Sequence, residues 1–227
     1  MVRVSSSLSL FVSVAAAAYP TFTIPAFDLN TIDWAATHRL VSSLEANGIV
    51  AFQGIPHLAT IRRDVLHSAT ACASSESDLT QFKLLQDGTE RRTFSADTRG
   101  LPTDIADRCP DYKHAHAAYT KLMDATLAQF GRVLDGSTAS SNHTDSLEAM
   151  AATGSHLIHN HLYSNPESNT ATQEFSFQLH TDRGLGLLST APLFFDVSDG
   201  QVTEVANPDV NSGLVLELNG RVGHCAS

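Results

Sequence analysis

His180 and Asp182 stand two residues apart in Phe177-Gln178-Leu179-His180-Thr181-Asp182-Arg183-Gly184-Leu185-Gly186-Leu187-Leu188, an apolar run broken by a glycine turn. On a β-strand, residues i and i+2 point to one face, so an extended segment brings this imidazole and this carboxylate to one point. A neutral imidazole nitrogen and a carboxylate oxygen are two of the three ligands of the facial triad that holds non-haem Fe(II) with open positions. An H-x-D triplet also recurs by chance. Its plainer reading is a histidine at a strand end and an aspartate accepting backbone bonds in the following turn. An apolar strand leading in and a second one over residues 185–188 leading out favour the metal reading.

A second cluster is His156-Leu157-Ile158-His159-Asn160-His161-Leu162-Tyr163. As a strand it puts His159, His161 and Tyr163 on one face and His156 on the other. An H-x-H strand could bind zinc or another transition metal, as cupin-like proteins do, here with His180 as third histidine. Its plainer reading is a strand that lines a cavity. No G-x-S-x-G, P-loop, H-E-x-x-H or dinucleotide-binding fingerprint occurs. Glu90-Arg91-Arg92, and Arg99 near Asp97, read as solvated loop charges.

The elements that must position these groups fall into two halves. Residues 23–29 read as a short strand with Pro25 at its edge. A helix is expected from Asn30, with Trp34, Leu40, Val41 and Leu44 on its apolar face and Asn47-Gly48 as its stop. A buried strand over 49–52 follows, then a helix from Leu58 into the low 70s with Ile61, Val65 and Leu66 inward. Residues 87–110 read as loop. A further helix over 112–134 turns Tyr119, Leu122, Met123, Ala125, Leu127 and Phe130 towards a core, and 136–142 reads as a linker. From Ser155 onward, short apolar runs at 156–163, 174–181, 185–190, 193–197, 202–205 and 214–218 give the signature of a sandwich or barrel.

Composition bounds the remainder. A chain of 227 residues fits one domain, and a formal charge of -10 argues against nucleic acid or an anionic membrane surface as partner. Arg3, an apolar run over 8–14 and Ala15-Ala16-Ala17-Ala18 resemble a signal peptide covering residues 1–18, and the run is too short to span a bilayer. Asn142-His143-Thr144 is a glycosylation acceptor compatible with export. Three cysteines are too few for a disulfide scaffold; in an oxidising compartment Cys72 and Cys109 could pair, leaving Cys225 odd. A secreted protein is therefore expected.

Residues 179–188 resemble the H-T-D-x-G-x-x-T-x-L segment of the isopenicillin N synthase-like Fe(II)/2-oxoglutarate dioxygenases. The likeness extends thinly over residues 22–222: Ile24-Pro25-Ala26-Phe27-Asp28-Leu29 is similar to that family's opening strand. Residues 44–55 are similar to its next helix and strand, and 193–197 and 212–218 to strands beyond the metal motif. The resemblance implies an α+β fold, with a helical part (residues 19–145) followed by a double-stranded β-helix, or jelly roll, over 146–227. It implies His180 and Asp182 as Fe(II) ligands, 2-oxoglutarate as cosubstrate with Asn160 or Tyr163 in contact with it, and oxidation of a small-molecule substrate. In that family a distal histidine and an Arg-x-Ser pair complete the site. Here His224 follows residues 214–218 too closely to match the former, Arg221 does not match the latter, and the jelly roll is expected to be incomplete at its C-terminal end. A catalytically inactive jelly-roll binding protein and a cupin-like metal enzyme are the alternatives.

Overall fold

Asp33 begins the first long element. In the computed structural model, which describes residues 20–97, 100–137, 146–164, 180, 184–207, 214–218 and 220–225, its Oδ1 accepts the Ala36 N–H at 2.7 Å and caps α1 (Trp34–Asn47). Gly48, at φ 68°, closes the helix by donating its N–H to the Leu44 carbonyl at 2.7 Å, a left-handed position that suits glycine. The helix starts later than Asn30 because Asp28 Oδ1 takes the Asn30 N–H at 2.9 Å and holds a turn there. Trp34, expected on the apolar face, is 78% exposed on the helix's first turn, with its ring edge-on to that of His38 at 4.2 Å. Strands β2 (Ala26–Asp28) and β3 (Ala51–Gln53) flank α1 and pair in parallel, with Phe27 opposite Phe52. Phe27, Leu29 and Leu40 form a small buried core to which Val41, Leu44, Phe52 and Phe130 add.

The larger core lies between helices and a sheet. Helices α2 (Leu58–Ser75), α3 (Thr103–Arg108) and α4 (Pro110–Ser137) cover an antiparallel sheet of β4 (Gln81–Leu84), β5 (Glu90–Asp97) and β6 (Leu157–Ser164), with β5 central. Val65, Ala69 and Ala73 of α2 meet Phe94, Ile105 and Tyr112, and the disulfide Cys72–Cys109 sits among them. Residues 87–110 are thus not loop. The charges of Glu90, Arg91 and Arg92 hide an alternation in which Phe94 and Ala96 are buried, and β5 is held by partners on both sides rather than by its own propensity.

Helix α5 (Leu147–Thr153) packs on the C-terminal half of α4. Asp135 accepts from the Ser146 hydroxyl at 2.6 Å and from the Leu147 and Glu148 N–H groups at 2.8 and 3.0 Å, satisfying the donors that α5 leaves open. Gly131 is the point of contact, since a Cβ there would lie 2.6 Å from the Glu148 nitrogen. Gly131→Ala is expected to cost about 1–3 kcal/mol in urea denaturation by forcing the helices apart. Gly136→Ala, which meets nothing within 4 Å on the same helix, serves as control and should be neutral or stabilising. Equal, negligible effects would refute the close packing.

Beyond β6 the elements are short. β7 (Phe194–Ser198) and β8 (Gln201–Val205) form a hairpin through Asp199-Gly200, whose φ angles of 50° and 75° are those of the primed turns that match strand twist. The hairpin lies on α2, where Arg63 Nε donates to Glu204 Oε2 at 2.6 Å and a His67 ring nitrogen meets the Val202 carbonyl at 3.0 Å. β9 (Val215–Leu218) and β10 (Arg221–Cys225) form a second hairpin, and β1 (Thr21–Phe22) runs parallel to β10. The fold is mixed α+β, as expected. Its sheets are small and separate, and among the described residues they form neither a jelly roll nor a closed barrel. Residues 185–190 are not the expected strand: Leu185 and Leu187 are 87% and 77% exposed, and among the described residues no strand pairs with them. Of the run expected at 174–181, only His180 lies within the described residues. No described helix is long and apolar enough to cross a membrane.

Candidate functional site

Strand β6 carries the densest set of groups able to do chemistry, and its pairing with β5 fixes where each points. His161 stands opposite Thr93, His159 opposite Ser95 and Asn160 opposite Phe94. Directly opposed residues share a face. His159, His161 and Tyr163 therefore project from the exposed side of the sheet, as the period of two requires, with ring centroids 5.4 Å apart for the two histidines and 6.1 Å for His161 and Tyr163. Thr93 Oγ1 and His161 Nδ1 are hydrogen-bonded at 2.9 Å.

Asn160 points the other way. It is buried, and its Nδ2 donates to the Tyr112 hydroxyl at 2.5 Å. Asn160 and Tyr163, the two residues implied as cosubstrate contacts, thus occupy opposite faces of one strand, and a single pocket takes at most one of them. His156 precedes the strand and bonds the Ala151 carbonyl at 2.7 Å through Nε2.

His180 is exposed; Asp182 lies outside the described residues, with Thr181 and Arg183. Among the described residues no group of three His, Cys, Asp or Glu side chains is arranged to hold a metal ion, and the set of His159, His161 and His180 is not such a group. Two surface clefts, of about 270 and 530 Å3, are lined by segments that include Ile24 and Arg221 in the first and Arg63, His67 and His114 in the second. Neither takes in Asn160, Tyr163 or His180.

Under the sheet lies a polar cluster that the spacing of α4 alone did not single out. Tyr112 stacks obliquely on Phe94 at 4.9 Å and meets His116 edge-on at 5.7 Å. Burial pushes the Tyr112 hydroxyl well above its usual range, with the Asn160 bond opposing, so the group stays neutral. His116 is 2% exposed, with Thr120 Oγ1 3.4 Å from Nδ1 and, among the described residues, no partner at Nε2. A stripe of Cys109, Tyr112 and His116 at helical spacing was the available signal.

Burial holds the His116 imidazole below its ordinary value. The unfolded chain therefore binds the proton first, and stability is complete above an unfolded pKa of about 6.5 and falls as pH drops through it towards the folded value. His116→Phe is expected to flatten the acid side of the stability curve as pH falls below about 6.5, measured by urea denaturation. An unchanged slope would show that this imidazole does not govern it.

Comparison with protein-family models, with curated proteins and with solved structures returns no match for this chain.

Proposed function

We propose that this chain is a non-haem Fe(II)/2-oxoglutarate-dependent oxygenase-like protein that oxidises a small organic substrate, with His180 and Asp182 as two of its iron ligands. The observation that carries the reading is the motif itself: an imidazole and a carboxylate at strand spacing, entered from an apolar run and left through a glycine turn. The donor set suits Fe(II), since one nitrogen and one oxygen ligand are what the facial triad takes from an H-x-D pair. Bound iron would supply O2 activation coupled to oxidative decarboxylation of 2-oxoglutarate and oxidation of the second substrate.

What the chain's own residues must do follows from their chemistry. His180 would ligate as a neutral imidazole and Asp182 as a carboxylate. Tyr163 is exposed and presents a hydroxyl to an incoming carboxylate, whereas Asn160 is already committed to Tyr112. The disulfide is of the kind an oxidising compartment maintains, which supports a secretory-pathway location.

The test is turnover. Incubation with Fe(II), ascorbate and labelled 2-oxoglutarate should release succinate above the metal-free background, and Tyr163→Phe should raise the 2-oxoglutarate requirement. No succinate from protein that binds Fe(II) through His180 and Asp182 would leave a metal-binding protein without oxygenase activity.

A further inference from the structure

We propose that His159 and His161 form a two-histidine site for a divalent late transition-metal ion, Zn2+ or Cu2+, on the exposed face of the β4–β5–β6 sheet. The site is independent of His180 and Asp182. Alternate residues of one strand already hold both imidazoles on one side, so no rearrangement of the backbone is needed to bring them to one ion.

The spacing suits a chelate. With Zn–N bonds of about 2.0–2.1 Å and each ring centre about 1.1 Å behind its nitrogen, two imidazoles on a tetrahedral ion hold their centroids about 5 Å apart. Here they are 5.4 Å apart. Small changes of side-chain torsion then suffice to aim both nitrogens.

Thr93 supplies the orienting bond. A histidine that ligates through one ring nitrogen usually donates the other N–H to a fixed acceptor, which sets the tautomer and the ring plane. His161 Nδ1 lies 2.9 Å from Thr93 Oγ1, and Thr93 is 5% exposed, so the Thr93 end of this bond is shielded from water. With Thr93 accepting from Nδ1–H, His161 ligates through Nε2. Two protein ligands leave the other positions to water, which makes the site open and exchangeable.

The charged groups that the pairing places on this face are Asp97, towards the Leu157 end of β6, and Arg91 and Lys83, level with Tyr163. Asp97 and the cations stand at opposite ends of the histidine pair, so neither sign of charge dominates it.

Calorimetric titration of Zn2+ into untagged protein at pH 7.5 tests the proposal, with circular dichroism verifying the fold of each variant. In His180→Ala/Asp182→Ala protein, where the proposed iron ligands do not contribute, a binding event of one Zn2+ is expected that His159→Ala or His161→Ala each weaken at least tenfold and Thr93→Val about tenfold. Cu2+ should bind this site more tightly than Zn2+. Absence of Zn2+ binding in that background, or full affinity there after His159→Ala or His161→Ala, would overturn it.

Discussion

Removal of the Cys72–Cys109 bond is expected to destabilise the fold by about 3–4 kcal/mol, the loop-closure entropy of a crosslink with a sequence separation of 37. The bond closes a loop that contains β4, β5 and α3, and both sulfurs lie in the larger core beside Val65, Phe94 and Tyr112. The bond thus ties α2 directly to the residue that precedes α4, with the central strand inside the loop that it closes. Urea denaturation with and without reductant, and of the Cys72→Ala/Cys109→Ala pair, measures the loss. A cost below about 1 kcal/mol would mean that packing alone fixes α2 against α4 and that the crosslink adds little.

Tyr112→Ala is expected to cost a further comparable amount, about 3–5 kcal/mol, because it empties the space of a large, fully buried side chain. The more telling variant is Tyr112→Phe. It keeps the ring on Phe94 and His116 but strands the Asn160 Nδ2 donor without its acceptor, at a cost of about 1–3 kcal/mol. Combining Tyr112→Phe with Asn160→Leu removes both partners and should recover part of that loss. Strict additivity of the two single effects would show that the hydrogen bond does not couple β6 to α4.

The helices were legible because each announces itself in more than one way. Helix α1 has an apolar stripe, Asp33 as cap and Gly48 as stop; α2 and α4 have stripes long enough to stand without caps. The sheet was less so. β4 and β5 carry Lys83, Arg91 and Arg92 among few apolar residues, and their stability comes from being paired, which no local window reports. β10, with Gly223 and His224 in it, is likewise defined by its neighbours β9 and β1. The opposite error, a strand expected at residues 185–190, arose from an apolar run of which Leu185 and Leu187 are exposed.

At the candidate site the period of two correctly grouped His159, His161 and Tyr163, but periodicity does not say which face of a strand is buried. That was decided by α4, whose Tyr112 offers Asn160 a partner inside the core. The same tertiary fact separates Asn160 from Tyr163. The pairing of Cys72 with Cys109 was expected on compartment chemistry and is present. The proposed iron ligands rest on a different footing, since Asp182 lies outside the described residues and the pair is carried by the sequence motif.

The central claim, that His180 and Asp182 together ligate iron, is tested most directly by anaerobic Fe(II) titration of the wild type against His180→Ala and Asp182→Ala in the presence of 2-oxoglutarate. The proposal predicts one Fe(II) bound per chain through this pair, with affinity reduced at least a hundredfold in either variant and unchanged in His159→Ala. Fe(II) affinity that survives both His180→Ala and Asp182→Ala would contradict it.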